Sequence, residues 1–90
     1  MAKIVITAEV EDAAKWEEAF RSRVDIFRAQ TSMTMQFTVT DNRCVLCTEV
    51  HDVDKFKEVI ASPATKEAMD QDGVKPGSVQ MWILDKDVQI

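Results

Sequence analysis

The chain is poor in the residues on which most small-protein chemistry depends. It has no tyrosine, one histidine, two cysteines, two glycines and two prolines among 90 residues. Two cysteines cannot build a multi-bridge disulfide framework, and with one histidine they cannot complete a four-ligand zinc site within one chain. No glycine-rich phosphate loop, H-E-x-x-H or G-x-S-x-G motif occurs, so nucleotide hydrolysis, zinc proteolysis and serine hydrolysis have no support. No apolar run exceeds four residues, as in Met81-Trp82-Ile83-Leu84, which excludes a membrane-spanning helix. Positive charge is also short. Eleven basic against 16 acidic residues leave a net charge of −5, which argues against nucleic acid or an anionic membrane as main partner. No secretory apolar segment follows Met1, so the expected location is the cytoplasm.

What remains is 46% hydrophobic and 30% charged, the mix of a soluble globular chain. Residues 1–90 read as a single domain. A domain of this length buries only about two-thirds of its unfolded surface. With no disulfide framework or metal signature to compensate, a partner subunit is a natural source of further burial.

Periodicity orders the elements. Lys3 to Val10 alternates and predicts a strand. Asp12 is an N-cap for a helix from Ala13 to about Ala29, with Trp16, Phe20, Val24 and Phe27 on one face and Glu17 and Arg21 placed for an ion pair. Gln30-Thr31-Ser32 breaks that pattern. Met33 to Thr40 then alternates as a half-buried strand, Asp41-Asn42 marks a turn, and Arg43 to Val50 returns as the second arm of a hairpin. Val53, Phe56, Val59 and Ile60 form the inner face of a helix beginning near Asp52. Ser62-Pro63 interrupts it and opens another to about Gln71, which Gly73 stops. The last strand runs from Ser78 to Asp85. The tail after it carries Val88 and Ile90, apolar residues in want of a cover.

The order is β-α-β-β-α-β, an α+β, ferredoxin-like arrangement: a four-stranded antiparallel sheet with its helices on one face. Matching strand parities assigns Ile4, Ile6, Met33, Met35, Phe37, Val39, Cys44, Leu46, Val50, Val79, Met81 and Ile83 to the helix-covered face. The other face receives Val5, Thr7, Gln36, Thr38, Val45, Cys47, Glu49, Trp82 and Leu84. A solvated face seldom exposes Trp82, Leu84, Val5 and Val45 together, which predicts a two-fold homodimer through that face. Cys44 and Cys47 spell C-x-x-C, but on a strand they stand about 10 Å apart on opposite faces. Disulfide partners need Cα atoms within about 7 Å. They are expected as buried, reduced thiols.

The stretch Glu49-Val50-His51-Asp52-Val53-Asp54-Lys55-Phe56, leading into Ser62-Pro63-Ala64-Thr65-Lys66-Glu67-Ala68-Met69, resembles the dimeric α+β barrel superfamily. That superfamily includes antibiotic-biosynthesis monooxygenase-like proteins and stress-responsive barrel proteins. The resemblance implies two sheets packed face to face into a barrel, with a ligand cavity between each sheet and its own helices. In the haem-degrading branch a helix supplies a histidine ligand; the position that matches it here is Met69, and the expected tryptophan near the end of strand three matches Val50. No cofactor is therefore expected. Cofactor-independent monooxygenases of the superfamily draw on tyrosine, asparagine, tryptophan or arginine as helpers, and tyrosine is absent here.

His51, the sole histidine, is the natural general acid or base at neutral pH, and Glu49 shares its strand parity. Against this stands a surface histidine beside a helix N-terminus. A side chain pointing into an enclosed pocket would favour catalysis, and one facing solvent would not. Phe20, Phe27, Met33, Met35, Phe37, Met69 and Met81 are candidates to line an apolar pocket, since flexible thioethers suit irregular ligands; they serve equally as core. Arg21, Arg23 and Arg28 read as a solvated basic stripe, one of which could reach a ligand carboxylate. The expected function is binding of an apolar or amphipathic small molecule between sheet and helices. The alternative is a cofactor-independent monooxygenase- or cyclase-like enzyme using His51.

Overall fold

The computed structural model describes residues 2–90. Strand β1 (Ala2–Glu9) is followed by helices α1 (Ala13–Arg21) and α2 (Val24–Ala29), strands β2 (Ser32–Thr40) and β3 (Arg43–Val50), helices α3 (Val53–Ile60) and α4 (Pro63–Gln71), and strand β4 (Gln80–Leu84). All pairings are antiparallel and the sheet order is β2-β3-β1-β4. This is the ferredoxin-like α+β fold.

The local reasons are visible in the caps and turns. Asp12 and Asp52 accept from the backbone N–H of Lys15 and Lys55 at 3.1 and 3.0 Å, and Ser62 accepts from Thr65 at 3.3 Å. Each cap supplies a partner to a donor that the first helical turn leaves free. Asp41 and Asn42 hold φ of 52° and 58°, the paired left-handed residues of a two-residue hairpin whose twist matches its strands. Asn42 also accepts from Ala13 N–H at 3.2 Å, so the hairpin turn helps to start α1. Gly73, at φ 78°, provides the turn after α4.

The first helical region departs from expectation. Instead of one helix to Ala29, α1 ends at Arg21 and α2 starts anew at Val24. The Ser22 hydroxyl bonds the Ala19 carbonyl at 2.5 Å, a local competitor to the helical ladder. The break rotates the face: Trp16 and Phe20 stay buried and Phe27 is half-buried, but Val24 turns out to solvent and Ile26 turns in.

A second departure lies in β2. The register skips between Ser32, opposite Val50, and Thr34, opposite Glu49, so Met33 is the extra residue of a bulge. Ser32 thereby takes the inward position expected for Met33, which is exposed. The Ser32 hydroxyl is buried without a hydrogen-bond partner. A third departure concerns β4. Met81 and Ile83 lie opposite Ile6 and Ile4 and so share the inner face, yet both are exposed, as is Val79. β4 is an edge strand beyond the span of the helices, so inward parity does not bury it. The first strand stops one residue early, with Val10 making an isolated bridge to Val74.

Ile4, Ile6, Val10, Trp16, Phe20, Cys44, Leu46, Val50 and Phe56 form the core between the inner sheet face and the helices. Stacked Trp16 and Phe20 rings, 4.6 Å apart, meet Phe37 edge-on from β2.

Candidate functional site

Beneath the helices the packing leaves a cavity of about 90 Å³. Its floor is the inner face of the sheet: Ile6 and Ala8 from β1, Met35 from β2, and Cys44, Leu46 and Thr48 from β3. Its roof comes from all four helices: Trp16 and Phe20, then Ile26 and Phe27, then Phe56 and Ile60, then Ala68 and Met69. Two of the lining residues, Ala8 and Ala68, are small and fill little of the space between sheet and helices.

Its polar residues are five. Thr48 and Thr65 are spent, each hydroxyl donating to a main-chain carbonyl, that of Thr34 at 2.8 Å and that of Val59 at 2.7 Å. Arg23 and Asp72 form a bidentate pair in which guanidinium Nε donates to Oδ2 at 3.1 Å and Nη2 to Oδ1. Asp72 is buried and Arg23 is half-buried, and together they tie the start of α2 to the end of α4. The hydrogen bond from Arg23 to Asp72 raises the arginine pKa, with burial opposing and the charge of Asp72 assisting. The carboxylate and guanidinium offset each other's charge at this wall. The fifth residue is Gln30, 6% exposed at the end of α2. Its backbone N–H bonds the Ile26 carbonyl at 2.9 Å.

Cys44 sits on the cavity floor, and burial pushes its thiol pKa up, with backbone hydrogen bonds opposing. It is an inert, protonated group rather than a nucleophile. Cys47 is half-buried on the far face of the sheet, so the C-x-x-C pair forms no disulfide. Among the described residues no group of three or more His, Cys, Asp or Glu could hold a metal ion.

Of the residues singled out from sequence, Phe20, Phe27, Met35 and Met69 come together around the cavity. Phe37, Met33 and Met81 do not: Phe37 packs outside it against Trp16 and Phe20 with the Arg21 guanidinium 5.2 Å from its ring, and the two methionines are exposed. His51 is exposed at the β3–α3 junction and lies outside the lining; its main-chain N–H bonds the Thr31 carbonyl at 3.3 Å. Arg23 is no part of a solvated stripe, whereas Arg21 is, pairing with Glu17 at 3.0 Å as its spacing predicts. Sequence reasoning missed Gln30, the Arg23–Asp72 pair and Ile26. The pair's members are 49 positions apart, and no periodicity links them. Gln30 carried one signal, as a polar residue beside two helical apolar ones.

A second, more open cleft of about 390 Å³ lies near Glu9, Arg43 and Ser78. Three of its polar residues are engaged with one another or with main chain: Arg43 pairs with Glu9 at 3.1 Å, and Ser78 Oγ bonds Glu9 N–H and the Lys75 carbonyl.

No protein-family model and no curated protein matches the sequence. Solved structures match over nearly the whole chain and are antibiotic biosynthesis monooxygenase-like, ferredoxin-like proteins. One is SnoaB, a cofactor-independent oxygenase from Streptomyces nogalater, with 17% identity, 99% of this chain and 95% of that one covered, and a TM-score of 0.72. Another is an antibiotic biosynthesis monooxygenase with 12% identity, coverage of 98% and 100%, and a TM-score of 0.70. A protein from Arabidopsis thaliana aligns with 14% identity over 100% of both chains at a TM-score of 0.69.

Proposed function

We propose that the protein binds a small apolar or amphipathic molecule between its sheet and helices, and does so as a two-fold homodimer in the cytoplasm, where its free thiols stay reduced. The carrying observation is the apolar cavity itself, roofed by residues of four helices and floored by the sheet. Its 90 Å³ falls well below the roughly 300–1,000 Å³ of pockets that take drug-sized ligands. The occupant is correspondingly small, and α2, which buries none of its side chains fully, is the wall able to yield.

Toluene tests the reading. Saturable methyl shifts at Met35 and Met69, with exposed Met33 and Met81 unmoved, are the expected result. Uniform or absent shifts would sink it.

Support for the dimer comes from the outer sheet face. Strand register sets Val5 opposite Trp82 and Thr7 opposite Val45, so these apolar side chains share one surface with Leu84. Trp82 is 49% and Leu84 52% exposed in the single chain. A second copy would cover them with the same patch. The alternative enzyme reading, a monooxygenase or cyclase with His51 as acid or base, lacks a geometry, because His51 is exposed and outside the cavity.

A further inference from the structure

A site selects a polar ligand when a donor or acceptor on its wall stands open, and selects against one when every such group is closed. Thr48 and Thr65 donate their hydroxyl protons to main-chain carbonyls. Ser32 Oγ is the one buried side-chain oxygen or nitrogen without a hydrogen-bond partner among the described residues, and Ser32 is not part of the cavity lining. Charge is closed off as well. Arg23 and Asp72 are the charged residues of the lining, and the guanidinium engages both carboxylate oxygens while Nη2 also donates to Gln71 Oε1 at 3.4 Å. Cys44 adds no charge, since burial pushes its thiol pKa up.

We infer that Asp72 is a specificity-determining residue: by engaging Arg23 it masks the one cation on the cavity wall, so that the cavity takes small uncharged hydrocarbons and rejects their hydroxylated and carboxylated analogues. The inference rests on the cavity being a ligand site, and it narrows the occupants to the apolar end of that class. A hydrocarbon fills the space and loses nothing on leaving water. A hydroxyl carried inside gives up its hydration and meets no open partner, a cost that no contact returns. A carboxylate can gain Arg23 only by displacing Asp72, and that would leave a buried carboxylate without its counter-charge. Removing the Asp72 charge reverses this last balance, because Arg23 then needs an anion at an otherwise apolar wall.

Toluene, phenol and benzoate test this, since they share one ring and differ in a single methyl, hydroxyl or carboxylate substituent. Dissociation constants come from the Met35 and Met69 methyl shifts of the full chain. In the unaltered protein toluene should bind at least about tenfold more tightly than phenol, equivalent to about 1.4 kcal/mol, and benzoate more weakly still. This comparison needs no variant. In Asp72→Asn benzoate should gain about tenfold or more over its affinity for the unaltered protein, while toluene binding is retained. A second change, Arg23→Met in the Asp72→Asn background, should abolish the benzoate gain and again retain toluene, which separates an unmasked cation from a merely loosened wall. Phenol or benzoate matching toluene in the unaltered protein would overturn the inference while leaving the cavity a binding site. So would an Asp72→Asn variant that binds toluene with no gain for benzoate, or a benzoate gain that survives the loss of Arg23. If toluene itself leaves Met35 and Met69 unshifted, the cavity reading falls and the inference with it.

Discussion

Cys44 and Ser32 show how a single buried polar atom behaves when its surroundings offer little. Burial raises the Cys44 pKa above its ordinary value of 9.0, so the folded chain holds that proton where the unfolded chain releases it. The sign follows: the thiol's contribution to stability is complete below pH 9.0 and is lost as pH rises from there through the folded pKa. Denaturant midpoints should therefore fall above pH 9 more steeply in the unaltered protein than in Cys44→Ala, after subtracting the variant's overall loss. Equal slopes would show that Cys44 does not govern this limb. Ser32 presents the opposite case, a hydroxyl buried at the β2 bulge with no partner. Such a group costs about 1–3 kcal/mol, so Ser32→Ala should be neutral or stabilising, by up to about 1 kcal/mol. Thermal unfolding checks this, since 1 kcal/mol moves the midpoint of a domain this size by about 4–8 °C. A clear fall in the midpoint would mean that the hydroxyl is satisfied after all.

At the level of elements, the break between α1 and α2 matters most, because it makes the cavity roof from a short, weakly held helix. The bidentate Arg23–Asp72 pair joins α2 to the end of α4. Asp72→Asn keeps the shape and removes the charge, leaving the Arg23 cation at an apolar wall. Loss of a charged hydrogen bond of this kind costs about 1.5–3 kcal/mol. Amide exchange in Val24–Ala29 should quicken more than in α3, and unchanged exchange in α2 would show that the pair is not what holds it. Much of this architecture was legible beforehand. Caps at Asp12, Asp52 and Ser62, the Asp41-Asn42 turn and the strand alternations all act within a few residues, and the structure has them where the spacing predicts. The helix break was not legible, because Ser22 is tolerated within many helices and its hydroxyl bond to the Ala19 carbonyl is visible only in the folded chain. The Met33 bulge was hidden for a similar reason: alternation predicts a face but does not count an extra residue. Within the site, the aromatic residues were readable as an apolar face, whereas Gln30 and the Arg23–Asp72 pair depend on packing between distant segments.

For the whole molecule, the decisive feature is a sheet with one face covered by helices and another bearing exposed apolar groups. Edge strand β4 is exposed along its entire length, and the residues after it, with Val88 and Ile90, are exposed too. A second copy docked on the outer face would shield Trp82, Leu84 and Val45, and with them half-buried Cys47. Alkylation then reports assembly. Cys47 should react slowly at high protein concentration and faster on dilution, while Cys44 should react only on global unfolding; a concentration-independent Cys47 rate would argue against a dimer on this face. The more searching test compares two charge insertions. Arg21 is exposed on α1, on the opposite side of the molecule, where it pairs with Glu17 across one helical turn. Arg21→Glu therefore costs only the few tenths of a kcal/mol typical of such pairs. Trp82→Glu would instead bury an unpaired carboxylate against the partner's apolar patch and remove a large aromatic contact, and losing such an anchor costs roughly 2 kcal/mol or more. Sedimentation equilibrium should give a dimer dissociation constant at least about 30-fold weaker for Trp82→Glu, and one near that of the unaltered protein for Arg21→Glu. Comparable constants for the two variants would place the interface elsewhere, and a monomeric mass for the unaltered chain at micromolar concentration would leave β4 and the outer face without a second copy.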